Sequence, residues 1–301
     1  MKQDEYTQTE RAGRVAEKNG TNSERTEWDN PLALDSSERY KKKRNQTTTC
    51  IGKKTRPSMF SIRHAMLSAL VMFLIAPNTA HAGPKTVRIH HTEVVLPHAV
   101  GLDDELMDIP EFAEFMSHLC PTSNTLQWAY VSLADKEQIL EGTSKGLQTY
   151  VLVETPVVTE RMQLTTSHFS ELQAMLHAEH ETLFSNHREI TEQTIRESAE
   201  RFDESYGTKV GFGQPQIRSI GLISEGKHQI SVAYRLIADI TIDGQPQRTD
   251  KALVINTLLA ANKLLYVYVY ATYDEGKGLV EAISISKEFR DKMLKANPSR
   301  G

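Results

Sequence analysis

The polar and apolar positions of this chain fall into several rhythms. The clearest is in the C-terminal third, where 228–242 alternate over their whole length. Ile230, Val232, Tyr234, Leu236, Ala238, Ile240 and Ile242 share one side, and Gln229, Ser231, Ala233, Arg235, Ile237, Asp239 and Thr241 the other. A period of two marks a half-buried strand. The pair Asp243-Gly244 supplies a hairpin turn after it. Ala252–Leu259 and Leu264–Thr272 read as two more strands joined by Ala261-Asn262-Lys263, and Ile217–Ile223 as a strand before the turn Glu225-Gly226-Lys227. Four strands linked in sequence by short turns predict an antiparallel meander. Leu264–Thr272 is apolar on both sides, with Tyr266, Tyr268 and Tyr270 opposite Leu265, Val267, Val269 and Ala271. That pattern predicts a central strand covered on both faces, either by helices on both or by a helix on one and a partner on the other.

Upstream, 86–96 alternate and read as a first strand. Asp103–Cys120 reads as an acidic helix carrying Phe112, Phe115, Met116 and Leu119. Leu126–Leu133 and Leu147–Val153 read as strands flanking a short helix that Asp135 caps and Gly142 stops. Ser167–Tyr206 is helical in period, with one stripe of Phe169, Leu172, Leu176 and Leu183 and a second of Ile195, Ala199, Phe202 and Tyr206. Asn186 and Glu189 form a capping box that divides the two. Glycines 207, 211 and 213 with Pro215 end the region. Gly278–Ala296 returns as a helix with Val280, Ile283, Phe289 and Met293 inward.

Residues 1–58 carry almost no apolar rhythm. Such a stretch buries too little apolar surface to offset its chain entropy and is expected to be disordered. Arg56, Arg63 and His64 then lead into the apolar run 65–76, followed by Pro77 and the triplet Ala80-His81-Ala82. A basic start, a short apolar core and a small-x-small site make an export signal over 59–82, cut before Gly83. The core has about a dozen residues, short of the roughly 20 that span a bilayer as a helix. Two arrangements fit. In the favoured one Met59 is the true start and 1–58 lie upstream of it, giving a periplasmic or secreted protein. In the other, 65–76 is an inner-membrane signal anchor behind a cytoplasmic arm, with Lys41–Arg44 on the inside. Residues 83–301 then form a single α+β domain.

The 301 residues are 39% hydrophobic and 25% charged, as expected of a globular protein. Charge separates the two parts. From Gly83 onward there are 21 Lys and Arg against 30 Asp and Glu, a net charge of −9. An acidic domain argues against a nucleic-acid partner and against electrostatic docking to anionic lipid. Cys120 stands alone after the cut, so no disulfide forms within the mature chain, and Gly83 occupies the place where a lipid-carrying Cys would stand.

The order of Ser167–Leu183, Ile217–Ile223, Ile230–Ile242, Ala252–Leu259 and Leu264–Ile285 resembles the PsbP-like group of α/β/α sandwiches, which includes the periplasmic DcrB-like proteins. About half of the mature chain carries the likeness, which is one of topology. It also resembles exported bacterial proteins that end in a Leu-Leu-Tyr-Val-Tyr-Val-Tyr strand and a helix. The resemblance implies a non-enzymatic accessory or envelope role; an envelope protein is the expected partner. It carries over no catalytic residue.

Candidate chemistry is sparse. His177 and His180 stand at i,i+3 beside Glu181, a spacing that puts two rings on one helix face and suits a transition metal. A solvated polar face explains the same residues. His90 and His91, read as strand neighbours, point to opposite faces. The Gly-rich 207–213 lacks a strand–loop–helix setting, and Asp103-Asp104-Glu105 lacks the spacing of a calcium loop. Tyr266, Tyr268 and Tyr270 suit either stacking on a ligand or packing under a helix, the second being favoured. The leading expectation is an exported, non-catalytic binding or accessory protein without a cofactor. Its rival is a metal-dependent or hydrolytic enzyme built on His177 and His180.

Overall fold

The computed structural model describes residues 84–299, apart from 145, 179–192, 194 and 208. The chain runs β1 (Lys85–Ile89), β2 (Thr92–Leu96), β3 (Leu102–Asp103), α1 (Pro110–His118), β4 (Asn124–Ser132), α2 (Leu133–Leu140), β5 (Thr149–Pro156) and α3 (Thr166–Ala178). The helix α4 (195–206) follows. Then come β6 (Val210–Phe212), β7 (Gln216–Gly226), β8 (Gln229–Ile242), β9 (Gln245–Ala260), β10 (Lys263–Thr272) and α5 (Lys277–Ala296). The fold is α+β. Its main sheet is antiparallel in the order β3-β4-β5-β10-β9-β8, with β6 and β7 end to end along the outer edge of β8.

The expected meander is present as β7 to β10. Asp243 and Gly244 both take positive φ, +50° and +82°, giving the turn whose twist matches the flanking strands. That turn fixes the register of the whole hairpin, so β9 starts at Gln245 and not at Ala252. Its first residues, 245–248, are exposed and continue the ladder with β8. Ala261 and Asn262 form a second such turn, φ +50° and +62°.

Both faces of the sheet are covered, as the two-sided apolar pattern of β10 predicts. On the first face, α5 and the β1–β2 hairpin pack over Val151 and Val153, Val267 and Val269, and Val254 and Leu258. On the second, α1 packs Met116 against Ala129 and Leu152, and α3 packs Phe169 against Leu259 and Leu264. Helix α4 leans on α1 through Phe202, whose ring lies 5.5 Å from Phe115 and 5.3 Å from His118.

Four local expectations are corrected. Residues 86–96 form a hairpin and not one strand, because His90 takes φ +56° and turns the chain; His90 and His91 sit in the turn with ring centroids 3.8 Å apart. The helix expected over 103–120 begins at Pro110. The residue before a proline avoids the helical region, and Ile109 is extended at φ −92°, ψ 113°. Ser132, not Asp135, caps α2: its hydroxyl accepts the Asp135 N–H at 3.0 Å. The Asp135 carboxylate is fully buried and instead takes the N–H groups of Gln148 and Thr149, tying α2 to the start of β5. Val280 is 70% exposed, because α5 turns the stripe Gly278, Ala282, Ser286, Phe289 and Met293 inward. The divide expected at Asn186 lies outside the described residues.

Candidate functional site

His177 lies in the last turn of α3. Its Nε2 lies 2.9 Å from Glu225 Oε1, and both side chains are exposed. Beside it the Gln173 amide donates to the carbonyls of Gly226 and Gln229 at 3.0 and 3.2 Å. Together these contacts dock α3 on the β7–β8 turn. His180 and Glu181, the other two residues of the metal expectation, lie outside the described residues. Among the described residues, no group of three or more His, Cys, Asp or Glu side chains is arranged to hold a metal ion.

Tyr266, Tyr268 and Tyr270 are brought together on the second face. The rings of Tyr266 and Tyr268 meet edge to face at 6.1 Å, and those of Tyr268 and Tyr270 stack at 6.5 Å. Tyr150 of β5, directly across from Tyr270, extends the row at 4.5 Å. The row packs under α1 and α3 and its residues are half-buried, so it forms the wall of the second core more than an open platform. Burial pushes the phenols of Tyr268 and Tyr270 well above their usual range.

At the end of this row, directly across from Tyr266, stands Glu154. Its side chain is 1% exposed, and its carboxyl accepts a 2.7 Å hydrogen bond from the Asn124 amide. Burial pushes its pKa up to about 7, against which the Asn124 and Cys120 contacts pull only partly. The Cys120 thiol is raised in turn, by burial first and by the same carboxyl second. Arg201 of α4 closes this end of α1, donating to the carbonyls of Ser117, His118 and Cys120. The strand expected over Leu147–Val153 stops one residue short of Glu154, whereas β5 runs from Thr149 to Pro156.

Next to Glu154 the chain leaves β5 and enters a loop that sequence reasoning missed. Val157, Val158 and Met162 are 49%, 67% and 49% exposed. Their backbone is firmly held. The Lys263 ammonium, 1% exposed, donates to the carbonyls of Glu160 and Met162 at 2.7 and 2.8 Å. Asn262 and Leu164 exchange two hydrogen bonds, and the Val157 N–H donates to Ser123 O at 3.0 Å. Burying an ammonium is costly unless its protons are used. Here two of the three fix the course of a loop whose apolar side chains face solvent.

A cleft of about 320 Å³ lies between α4 and the segment around β6, lined by Ile195, Ala199, Val210 and Pro215 with Arg196. No helix among the described residues is long and apolar enough to cross a membrane.

No family model matches the chain, and no curated protein matches it. Solved structures similar to it include the Ran-binding protein Mog1p of Saccharomyces cerevisiae, 11% identical with a TM-score of 0.31, over 72% of this chain and 95% of that one. A mutant of Mog1 is 12% identical with a TM-score of 0.29, over 72% and 96%. Similarity at this level identifies neither a fold family nor a partner.

Proposed function

We propose that this chain is an exported, non-catalytic binding protein of the bacterial envelope, and that it presents the loop Val157–Met162 to a protein partner. The observation that carries the reading is the loop itself: three large apolar side chains face solvent on a backbone pinned by the buried Lys263. An ordered loop has little freedom left to lose on binding, which is the advantage of a preorganised contact. With this reading go the export signal over 59–82, cleavage before Gly83 and a PsbP-like architecture. Among the described residues, the candidate side chains named above support it, being engaged in structure: His177 with Glu225, Glu154 with Asn124, and the tyrosine row with α1 and α3.

A photo-crosslinking residue placed at Val158 in the full chain, in the producing cells, tests the proposal. A discrete adduct in the envelope fraction is expected at Val158, lost on adding Met162→Asp, and absent when the probe stands at the exposed Glu137 of α2. The same adducts from both positions would sink it. Mass spectrometry of the mature N-terminus tests export, with Gly83 expected as the first residue.

A further inference from the structure

Glu154 stands three residues before the displayed loop, and one short stretch of backbone holds both. Asn124 donates its side-chain amide to the Glu154 carboxyl, while the carbonyl of Ser123 accepts the N–H of Val157, the first residue of the loop. The groups facing Glu154 come from three elements. The connection from α1 into the first residue of β4 gives the Cys120 thiol and the Asn124 amide. Strand β10 gives the phenols of Tyr266 and Tyr268, with Tyr270 farther along the row. Helix α4 gives Arg201, but its guanidinium is taken up by the carbonyls at the end of α1. Among the described residues no cation pairs with this carboxyl.

The requirements of the two protonation states differ. A neutral acid needs few partners, and the Asn124 amide serves it at 2.7 Å. A carboxylate has about four acceptor sites and needs charge or several donors to remain out of water. A fully buried carboxylate with one neutral amide and one weakly donating thiol beside it is a strained arrangement, relieved by letting water in.

We propose that Glu154 is a proton-operated latch for the displayed loop: the neutral acid holds the 120–124 connection on the sheet, and loss of its proton to solvent loosens that connection and the loop Val157–Met162 together. The importance of the latch for binding rests on the reading of that loop as the contact surface; the latch itself does not.

Amide hydrogen exchange of the full chain, corrected for the intrinsic pH dependence, tests it without any partner. Between pH 6 and pH 8, exchange in 119–126 and 157–163 is expected to rise by about tenfold. In Glu154→Gln, which keeps a neutral acceptor for Asn124, it should stay at the pH 6 level. Flat corrected exchange in the parent protein, or an equal rise in the Gln variant, overturns the latch. Should that variant fail to fold, carboxyl carbon NMR of the parent protein decides. Titration of Glu154 near neutral pH supports the latch, and a midpoint between 4 and 5, the ordinary glutamate range, overturns it. Loss of the Val158 crosslink with an intact exchange transition counts against the binding surface while supporting the latch.

Discussion

The Ser286 hydroxyl of α5 donates a 2.8 Å hydrogen bond to the side-chain oxygen of Asn256 on β9, and both side chains are closed off from solvent. Ser231 of β8 reaches the same oxygen at 2.7 Å, and the Asn256 amide donates to Val267 O of β10. One polar side chain thus ties three strands and the covering helix through the middle of an apolar layer. A buried network of this kind is costly when half satisfied. Ser286→Ala should cost about 1 kcal/mol and Asn256→Ala ~3 kcal/mol. The double variant should cost less than the sum, because the serine has lost its partner already. Urea unfolding of the four proteins checks this.

Gly278 marks where α5 meets the sheet. A Cβ built there would lie 1.8 Å from the Thr272 carbonyl oxygen, a backbone atom that cannot swing away. Gly278→Ala should therefore cost at least ~3 kcal/mol by pushing the first turn of α5 off β10. A markedly lower melting temperature, or loss of soluble protein, is expected. A variant as stable as the parent would show that α5 starts farther from the strand.

These two positions indicate what the sequence reveals and what it conceals. The meander is legible because period-two alternation reports burial directly, and the two-sided apolar pattern of Leu264–Thr272 reports cover on both faces. The tyrosine row follows from the same alternation. Asn256, Glu154 and Lys263 are not legible as buried groups. Each is polar, and sequence pattern assigns polar residues to solvent, turns or strand ends; only tertiary contacts reveal that they are enclosed. Val157 and Val158 mislead in the opposite direction. They favour strand, yet they form a 3₁₀ turn after Pro156 with their side chains outward. Val280 misleads similarly, since the small residues Gly278, Ala282 and Ser286 set the inward face of α5.

The Lys263 staple predicts a separable effect. Lys263→Met keeps the apolar stem and removes the ammonium, leaving the carbonyls of Glu160 and Met162 without those donors. The cost in global stability should be about 2 kcal/mol. Amide exchange should rise most in 159–164, with the meander β7–β10 changing less. Stability that falls with no local rise in loop exchange would mean that Lys263 serves the sheet and not the loop.

Stability should also depend on pH through Glu154. In the folded protein its carboxyl titrates at about 7, above its ordinary value of 4.5. The folded state therefore holds this proton over a range where the unfolded chain has released it. Its contribution is fully present below about 4.5, declines as pH rises, and is gone above about 7, a loss of ~3 kcal/mol. His118 acts in the opposite sense, because burial lowers its pKa and makes acid unfavourable below its ordinary 6.5. The parent protein alone would mix the two. The difference in unfolding free energy between the parent and Glu154→Gln isolates the carboxyl. It should favour the Gln variant progressively from pH 5 to pH 8 and level off beyond. A difference constant across that range would assign the buried carboxyl an ordinary acidity and remove the physical basis for treating it as neutral in the folded protein.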